Sequence, residues 1–324
     1  MTRGATRDPR VGILVVYYLR SDEDLPILQL HLDRIARHTQ SRFTVYAAAN
    51  RVSAAAIELL DARPWVQRCQ IPESDQRGSR EHGYYLDALA DRAWADGMDR
   101  IVTLDVDSFP IADDWMRRLD DSVARGSGVA GILRTENGDS ALPHPSCTAI
   151  DAAFFARYRP SFSPDSDFTP EFRRFLRATH QAGDTGLGLA RVLWSNHIEW
   201  TKLYRTNAVD LHPVIAGVYL DCIFHLAGVA SGSIFRRDLA TSSVHRLTDP
   251  LERIPLPSRL GSWKQAQVRR LRAGAERSIV DRNRGAYRDA RERLLADPDG
   301  FFAYLRGSHS VRADHYETRE EPQS

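Results

Sequence analysis

Lysine is almost missing from this chain. It stands only at positions 202 and 264, so nearly all of the 44 Lys+Arg residues are arginine. Such a bias reads as genomic base composition, that of a GC-rich bacterium, and not as function. Net charge is also lacking, because 44 basic residues face 43 acidic ones for a formal charge of +1. A balance this close gives no polyanion signature, so nucleic acid is not expected as a partner. Cysteine is scarce. Cys69, Cys147 and Cys222 are far apart and make no CxxC or zinc spacing, which fits buried thiols in a reducing cytosol. Long apolar runs are absent near the start: Val11 to Tyr18 is too short for a signal-peptide core with its cleavage site or for a bilayer span of about 20 residues. A soluble, cytoplasmic protein is expected from these absences, with a peripheral membrane contact compatible with the same composition. With 324 residues, 42% of them hydrophobic, the chain can bury a substantial core and is long for one simple domain.

The first 125 residues alternate. Val11 to Tyr18 reads as a buried strand, Asp24 to His38 as a helix with apolar positions at Leu28, Leu32, Ile35 and Ala36, and Phe43 to Ala49 as a second strand ending at Asn50. Ser53 then N-caps a short helix, Ala54 to Leu60. Val66 to Ile71 is a weaker strand, His82 to Trp94 a helix ended by Gly97, and Ile101 to Leu104 the next strand. Strand and helix in turn predict a mostly parallel α/β sheet flanked by helices. Beyond it the pattern loosens. Gly128 to Leu133 and Tyr219 to Leu226 read as strands, Cys147 to Phe155 as a strand or strand–helix junction, and Ser161 to Pro170 as loop. Asp184-Thr185-Gly186 opens a helix through Trp194, with Asp184 suited to cap it. From about Thr248 the composition turns Arg-rich and helical, through Trp263 to Leu295. Charge runs are usually solvated, so this part is expected to be a solvated helical extension or an oligomer surface. No internal repeat is present.

The most informative stretch is Ile101-Val102-Thr103-Leu104-Asp105-Val106-Asp107-Ser108-Phe109-Pro110. An aliphatic strand runs into two carboxylates one residue apart, at the carboxyl edge where open α/β sheets place ligands. Two acids so close repel each other unless a cation lies between them, which points to Mg²⁺ or Mn²⁺ and a phosphate-bearing substrate. The competing account is a solvated pair beside the helix that starts near Asp113.

Three chemistries use such a pair. Haloacid-dehalogenase-like phosphatases carry it near the chain start, followed by Thr or Val where this chain has Phe109, and the two lysines here lack a fitting context. Nucleotidyl transfer needs a Gly-rich basic loop after the first strand, and Leu19-Arg20-Ser21-Asp22 is none. In glycosyl transfer from a nucleotide sugar, a divalent ion is a direct way to stabilise the departing diphosphate. Here the sequence resembles the GT-A-fold glycosyltransferases, most closely bacterial family-2-like members, over roughly residues 11 to 240. The resemblance is carried by Leu104 to Pro110 as an Asp-x-Asp motif, His82-Gly83-Tyr84-Tyr85-Leu86 as a His-Gly-x-x-Leu helix opening, Asp184-Thr185-Gly186 on the acceptor side, and His225-Leu226-Ala227-Gly228 with Ser231-Gly232 as a late His-x-x-Gly segment.

The resemblance implies a GT-A-like (Rossmann-like) fold with a donor-binding half at 1–125, an acceptor-binding half at 126–245 and a helical extension at 246–324. It implies a donor pocket of Tyr17, Tyr18, Asn50, Arg77, Arg80, His82 and Asp105. Asp105, Asp107 and His225 would hold Mn²⁺ or Mg²⁺. Asp184 would be the general base of an inverting transfer from a nucleoside-diphosphate sugar to the hydroxyl of a small-molecule, glycan or lipid-linked acceptor. Many inverting relatives carry the base in a Glu-Asp pair, whereas Gly183 precedes Asp184 here, and Asp167 and Glu171 are nearby substitutes. The alternatives are a non-catalytic nucleotide-sugar-binding protein and the phosphatase. A homo-oligomer through the C-terminal helices is a further expectation.

Overall fold

Parity along the first strand divides the molecule into two cores. In the computed structural model, which describes residues 9–19, 21–164, 168–227, 234–254 and 258–307, with backbone alone at 252, 253 and 258–261, β1 (Val11–Tyr18) lies mid-sheet. Val11, Ile13, Val15 and Tyr17 enter one core and Leu14 the other, packed with Val16. Successive side chains of a strand point to opposite faces, so a sheet covered on both sides needs this apolar run. The chain continues through α1 (Leu25–His38), β2 (Phe43–Arg51), α2 (Ala54–Asp61), β3 (Val66–Arg68), α3 (Ser79–Ala95), β4 (Arg100–Leu104), β5 (Ser108–Pro110) and α4 (Trp115–Arg125). There follow β6 (Val129–Ile132), β7 (His144–Asp151), α5 (Ala152–Tyr158), α6 (Pro170–Ala178), α7 (Leu187–Ser195), β8 (Thr201–Leu203), β9 (Gly217–Tyr219) and β10 (Ile223–His225). The seven-stranded sheet has the order β3-β2-β1-β4-β7-β6-β8. Only β7 runs against its neighbours, so the expected mostly parallel α/β sheet is what the chain forms. Helices α1, α2 and α4 cover one face, and α3, α5 and α7 the other. Ser53 caps α2 as expected, its Oγ accepting the Ala56 N–H at 3.3 Å.

A glycine explains how α3 reaches its place. A Cβ on Gly83 would lie 2.8 Å from Ser163 Cα, so only glycine lets the helix approach the 161–163 loop. One turn on, Asp87 grips that loop, accepting from Ser161 Oγ at 2.5 Å and from the Phe162 N–H at 2.6 Å. Burial nevertheless raises the Asp87 carboxyl from its ordinary 3.8 to about 6, against those two hydrogen bonds. Between roughly pH 4 and 6 the folded chain therefore keeps a proton that the unfolded chain has released. Stability falls as pH rises through that window, by at most about 1.4 kcal/mol per pH unit. Asp87→Asn, which keeps an acceptor and loses the charge, is expected to flatten this part of the pH profile in urea denaturation. An unchanged slope would remove Asp87 as its source.

Two sequence expectations change near the site. The strand expected over Tyr219 to Leu226 is a hairpin, β9 and β10 joined by a turn with Leu220 and Asp221 at φ 52° and 56°. Such positions usually carry Asn, Asp or Gly, so Leu220 at the first of them concealed the turn. β10 also pairs with β5, giving a second, antiparallel sheet in the order β5-β10-β9. The helix expected from Asp184 starts at Leu187 instead, after Gly186 at φ 96°. The Gly186 Cα side faces the Pro143 carbonyl, 2.6 Å from where a Cβ would be. Asp184 thus lies two residues before the N-cap, Gly186, and is not itself the cap.

The C-terminal part is α8 (Arg236–Thr241), α9 (Ser243–Arg253), α10 (Ser258–Ala296) and α11 (Pro298–Leu305). The expectation of a solvated extension fails for its end. Ala290, Leu294, Phe301, Phe302 and Leu305 are at most 1% exposed and belong to the core of α1 and β5. The apolar residues that do this are few among many arginines, which is why composition alone misread them. Asp299 locks the segment to α1 through Arg34 (2.6 Å) and Arg37 (3.0 Å). Residues 308–324 lie outside the described part.

Candidate functional site

The strand order reverses between β1 and β4, and at such a switch point the carboxyl ends of the strands open a crevice. A cleft of about 750 Å³ lies there. Its wall collects strand ends: Tyr17 and Tyr18 of β1, Asn50 and Arg51 of β2, Asp105 and Asp107 after β4, and Arg134 after β6. β7 runs the other way, so it offers its first residue, His144, to the same edge.

Three side chains from distant positions converge at the bottom. One ligand atom each from Asp105, Asp107 and His225 lies within 4.8 Å of the other two. The pairing of β10 with β5 sets His225 opposite Ser108, and the Leu226 N–H donates to the Asp107 carbonyl at 2.9 Å. His225 Nε2 is 3.8 Å from Asp105 Oδ2 and 3.7 Å from Asp107 Oδ1. These separations exceed a hydrogen bond. They fall between the roughly 3 Å and 4.2 Å that adjacent and opposite ligands of a cation with bonds of about 2.1 Å would show. His225 Nδ1 is buried and has no hydrogen-bond partner among the described residues. Burial pushes the His225 imidazole down to about 3, helped by Arg134 and Arg205, so its ring is neutral near pH 7 and free to coordinate. Burial raises Asp105 to about 7, with Asp184 adding to the rise and Arg134 opposing it. Two carboxylates and a neutral imidazole fit a hard-to-borderline divalent cation of the Mn²⁺ or Mg²⁺ kind.

His82, in the first turn of α3, sits on the other side of Asp105, its Nε2 3.7 Å from Asp105 Oδ1. Burial lowers its imidazole to about 4. Asn50 lines the cleft while its amide donates to the Ile71 carbonyl at 2.8 Å. Tyr18 is 42% exposed at the rim. The ring of Tyr17 is in the core, edge-on to His31 at 5.6 Å, so only its end of the strand borders the cleft. Arg77 lines the cleft, whereas Arg80 is exposed on α3 and does not.

Asp184 closes the far side. Its Oδ1 accepts from Ser79 Oγ at 2.6 Å and from the Thr185 N–H at 2.8 Å, and its Oδ2 is 3.4 Å from Arg134 Nη2. Glu171, the substitute base, is exposed on α6 beside Arg174 and is not on the cleft wall. Gly228, Ser231, Gly232 and Asp167 lie outside the described residues.

Sequence reasoning missed Arg134, a cation whose side chain is 12% exposed on the cleft wall. Arg134 is bound to Asp139 at 3.0 Å as well as to Asp184, and Arg236 reaches Asp139 at 3.3 Å. Arg51 also faces the cleft, paired with Glu81 at 2.7 Å. A usable signal existed, since Arg134 directly follows an expected strand, as Asp105 does.

No family model matches the sequence, and no curated protein matches it. Among solved structures the chain is similar to a mannosyltransferase from Pyrobaculum calidifontis in complex with GDP-Man and Mn²⁺, at 13% identity and TM-score 0.44, covering 97% of this chain and 89% of that one. It is also similar to a putative nucleotide-diphospho-sugar transferase from Desulfovibrio desulfuricans, at 11% identity and TM-score 0.37, over 60% of this chain and 79% of that one. A third is glucosyl-3-phosphoglycerate synthase from Mycobacterium tuberculosis in complex with Mn²⁺ and UDP-glucose, at 14% identity and TM-score 0.33, over 48% and 60% of the two chains.

Proposed function

We propose that the chain is a metal-dependent glycosyltransferase that moves a sugar from a nucleoside-diphosphate donor to an acceptor hydroxyl with inversion. The observation that carries this reading is the convergence of Asp105, Asp107 and His225 at the carboxyl edge of the sheet, beneath a cleft that also holds Arg134. A divalent cation bound there, Mn²⁺ or Mg²⁺, supplies positive charge to the oxygens of a departing diphosphate.

The chain's own residues do the rest. Asp105 and Asp107 hold the cation side of the donor, and His225 completes the set from the second sheet. Tyr18, Asn50 and Arg77 border the part of the cleft nearest β1 and β2, where base and ribose would lie. Arg134, fixed by two carboxylates, is a second positive charge at the developing anion and needs no reorganisation to act. His82, whose Nε2 is 3.7 Å from Asp105 Oδ1, is placed to hydrogen-bond the donor sugar. Asp184 is the acceptor-side base, taking the hydroxyl proton on Oδ2, whose other neighbour is the more distant Arg134 Nη2. The three free cysteines suit a cytoplasmic setting. No described helix is long and apolar enough to cross a membrane.

The test is release of nucleoside diphosphate from a panel of nucleotide sugars, with Mn²⁺ or with chelator. Metal-dependent release is expected, and a protein that binds no nucleoside diphosphate with Mn²⁺ is not this enzyme. Asp184→Asn is expected to keep donor affinity and lose about 10²-fold or more in transfer, the usual contribution of a general base. Full transfer by that variant would take Asp184 out of the mechanism, whereas loss of donor binding would make it a support for Arg134.

A further inference from the structure

A second surface lies on the three helices that follow the cleft. α9 turns His245 and Thr248 inward, where Arg272 of α10 donates to Thr248 Oγ1 at 2.8 Å and Glu276 faces His245 at 3.2 Å. On the opposite side Leu247, Leu251 and Ile254, spaced four and seven residues, are 71%, 45% and 49% exposed. Leu247 and Leu251 lie one turn apart on a single face of α9, and Ile254 follows at its C-cap. Trp263 and Leu271 of α10 add side chains 64% and 59% exposed. Lys264 Nζ reaches the carbonyls of Leu251 (2.8 Å) and Ile254 (2.5 Å), which sets the turn carrying Trp263 beside the end of the stripe. Single exposed apolar residues need no explanation, but a stripe of them across paired helices marks a contact surface.

Charge says what the contact is. Arg237, Arg246, Arg269 and Arg270 are exposed on the same helices. Of the acids whose side chains are described on α8 and α9, Asp238 is engaged by Arg282 at 2.7 Å and Asp249 by Arg272 at 2.6 Å. In a chain of net charge +1 this surface is locally basic. A second copy of the chain would bring two such basic faces together, and like charges repel. Trp and Leu side chains among exposed arginines on amphipathic helices suit the boundary between lipid headgroups and acyl chains.

We propose that α8, α9 and α10 seat the protein on an anionic lipid bilayer, with the apolar stripe in the headgroup boundary and the arginines on lipid phosphates. The cleft opens at the start of this surface, because Phe235 and Arg236, which lead into α8, line it. Taken with the transfer reading, this selects an acceptor whose hydroxyl is presented at a membrane, a lipid-linked one. The docking itself requires nothing of that chemistry.

The experiment is co-sedimentation of the full chain with vesicles of phosphatidylcholine alone or mixed with phosphatidylglycerol, at low and high salt. Binding to the mixed vesicles is expected, weaker by about tenfold or more on neutral vesicles or in high salt. Leu251→Glu with Trp263→Glu should weaken it by about tenfold or more while Mn²⁺-dependent nucleotide binding stays as in the parent. Failure to bind either vesicle overturns the proposal, as does equal binding to both lipids or a double variant that binds like the parent. A dimer in light scattering that the double variant dissolves also overturns it, since the surface would then join two copies. If the variant does not fold, the lipid and salt dependence of the parent chain decides. Vesicle binding without donor turnover would sink the transfer reading and leave this one standing, and the converse holds.

Discussion

Asp107→Ala should abolish the stabilisation that Mn²⁺ gives to the parent chain, and leave the metal-free chain at least as stable as before. A cation that binds the folded state alone adds about 2.7 kcal/mol at a concentration 100 times its dissociation constant. In a protein of this size that is a shift of several degrees in thermal unfolding. Asp107 is 5% exposed and stands with Asp105 and His225 in one pocket. The stability of the metal-free chain should not suffer, because a buried carboxylate beside a second one is an electrostatic burden. The measurement is thermal unfolding with and without Mn²⁺, followed by affinity for a nucleoside diphosphate in both conditions. A Mn²⁺ shift equal to that of the parent would refute the metal assignment. His225→Ala is the companion variant, and it should weaken the shift in the same direction, leaving the two carboxylates to repel.

Phe302→Ala should destabilise the chain by about 3–5 kcal/mol, the usual range for removing a buried phenyl ring. Phe302 is 1% exposed and packs on Phe109 at 6.1 Å and Phe224 at 5.1 Å, with the Arg34 guanidinium 5.1 Å from its ring centroid. Phe109 and Phe224 are paired partners of β5 and β10. Each is one residue from a neighbour of the ion pocket, Ser108 on one strand and His225 on the other. The loss should therefore be read twice, as a lower midpoint in urea and as weaker Mn²⁺ stabilisation. Were the last helices an independent extension, the midpoint would not move.

The parallel half of the fold was legible because both faces of its strands are covered. A run such as Val11 to Tyr18 must then be apolar throughout, and its ends fall within a residue or two of the expected ones. Asp105 and Asp107 were legible for a related reason, since acids directly after such a strand have few places to be. His225 was named, but its convergence on the pair depends on a strand pairing between residues far apart, which no local pattern encodes. The hairpin around Leu220 and Asp221 was hidden because Leu220 takes the first of its positive-φ positions, which Asn, Asp or Gly usually fills. Tyr17 was assigned to the pocket by its place at the strand end, whereas its parity with Val11, Ile13 and Val15 sends the ring into the core. Arg134 was passed over because its one signal, a place directly after an expected strand, says little without its partners. Its meaning comes from Asp139 and Asp184 around it. The last helices were misjudged for the opposite reason, a strong compositional signal from arginines that drowned four or five core residues.

The small antiparallel sheet gives the molecule an order of events. Asp107 and His225 meet only through the pairing of Ser108–Pro110 with Ile223–His225 and the bond from the Leu226 N–H to the Asp107 carbonyl. Closing so long a stretch of chain is entropically expensive and is repaid only when the contacts around it exist. Capacity for the proposed cation therefore arises only once these distant segments have paired. A nascent or half-opened molecule carries both carboxylates yet lacks the third ligand. Uptake of the proposed cation would in that sense report that this long-range pairing has formed.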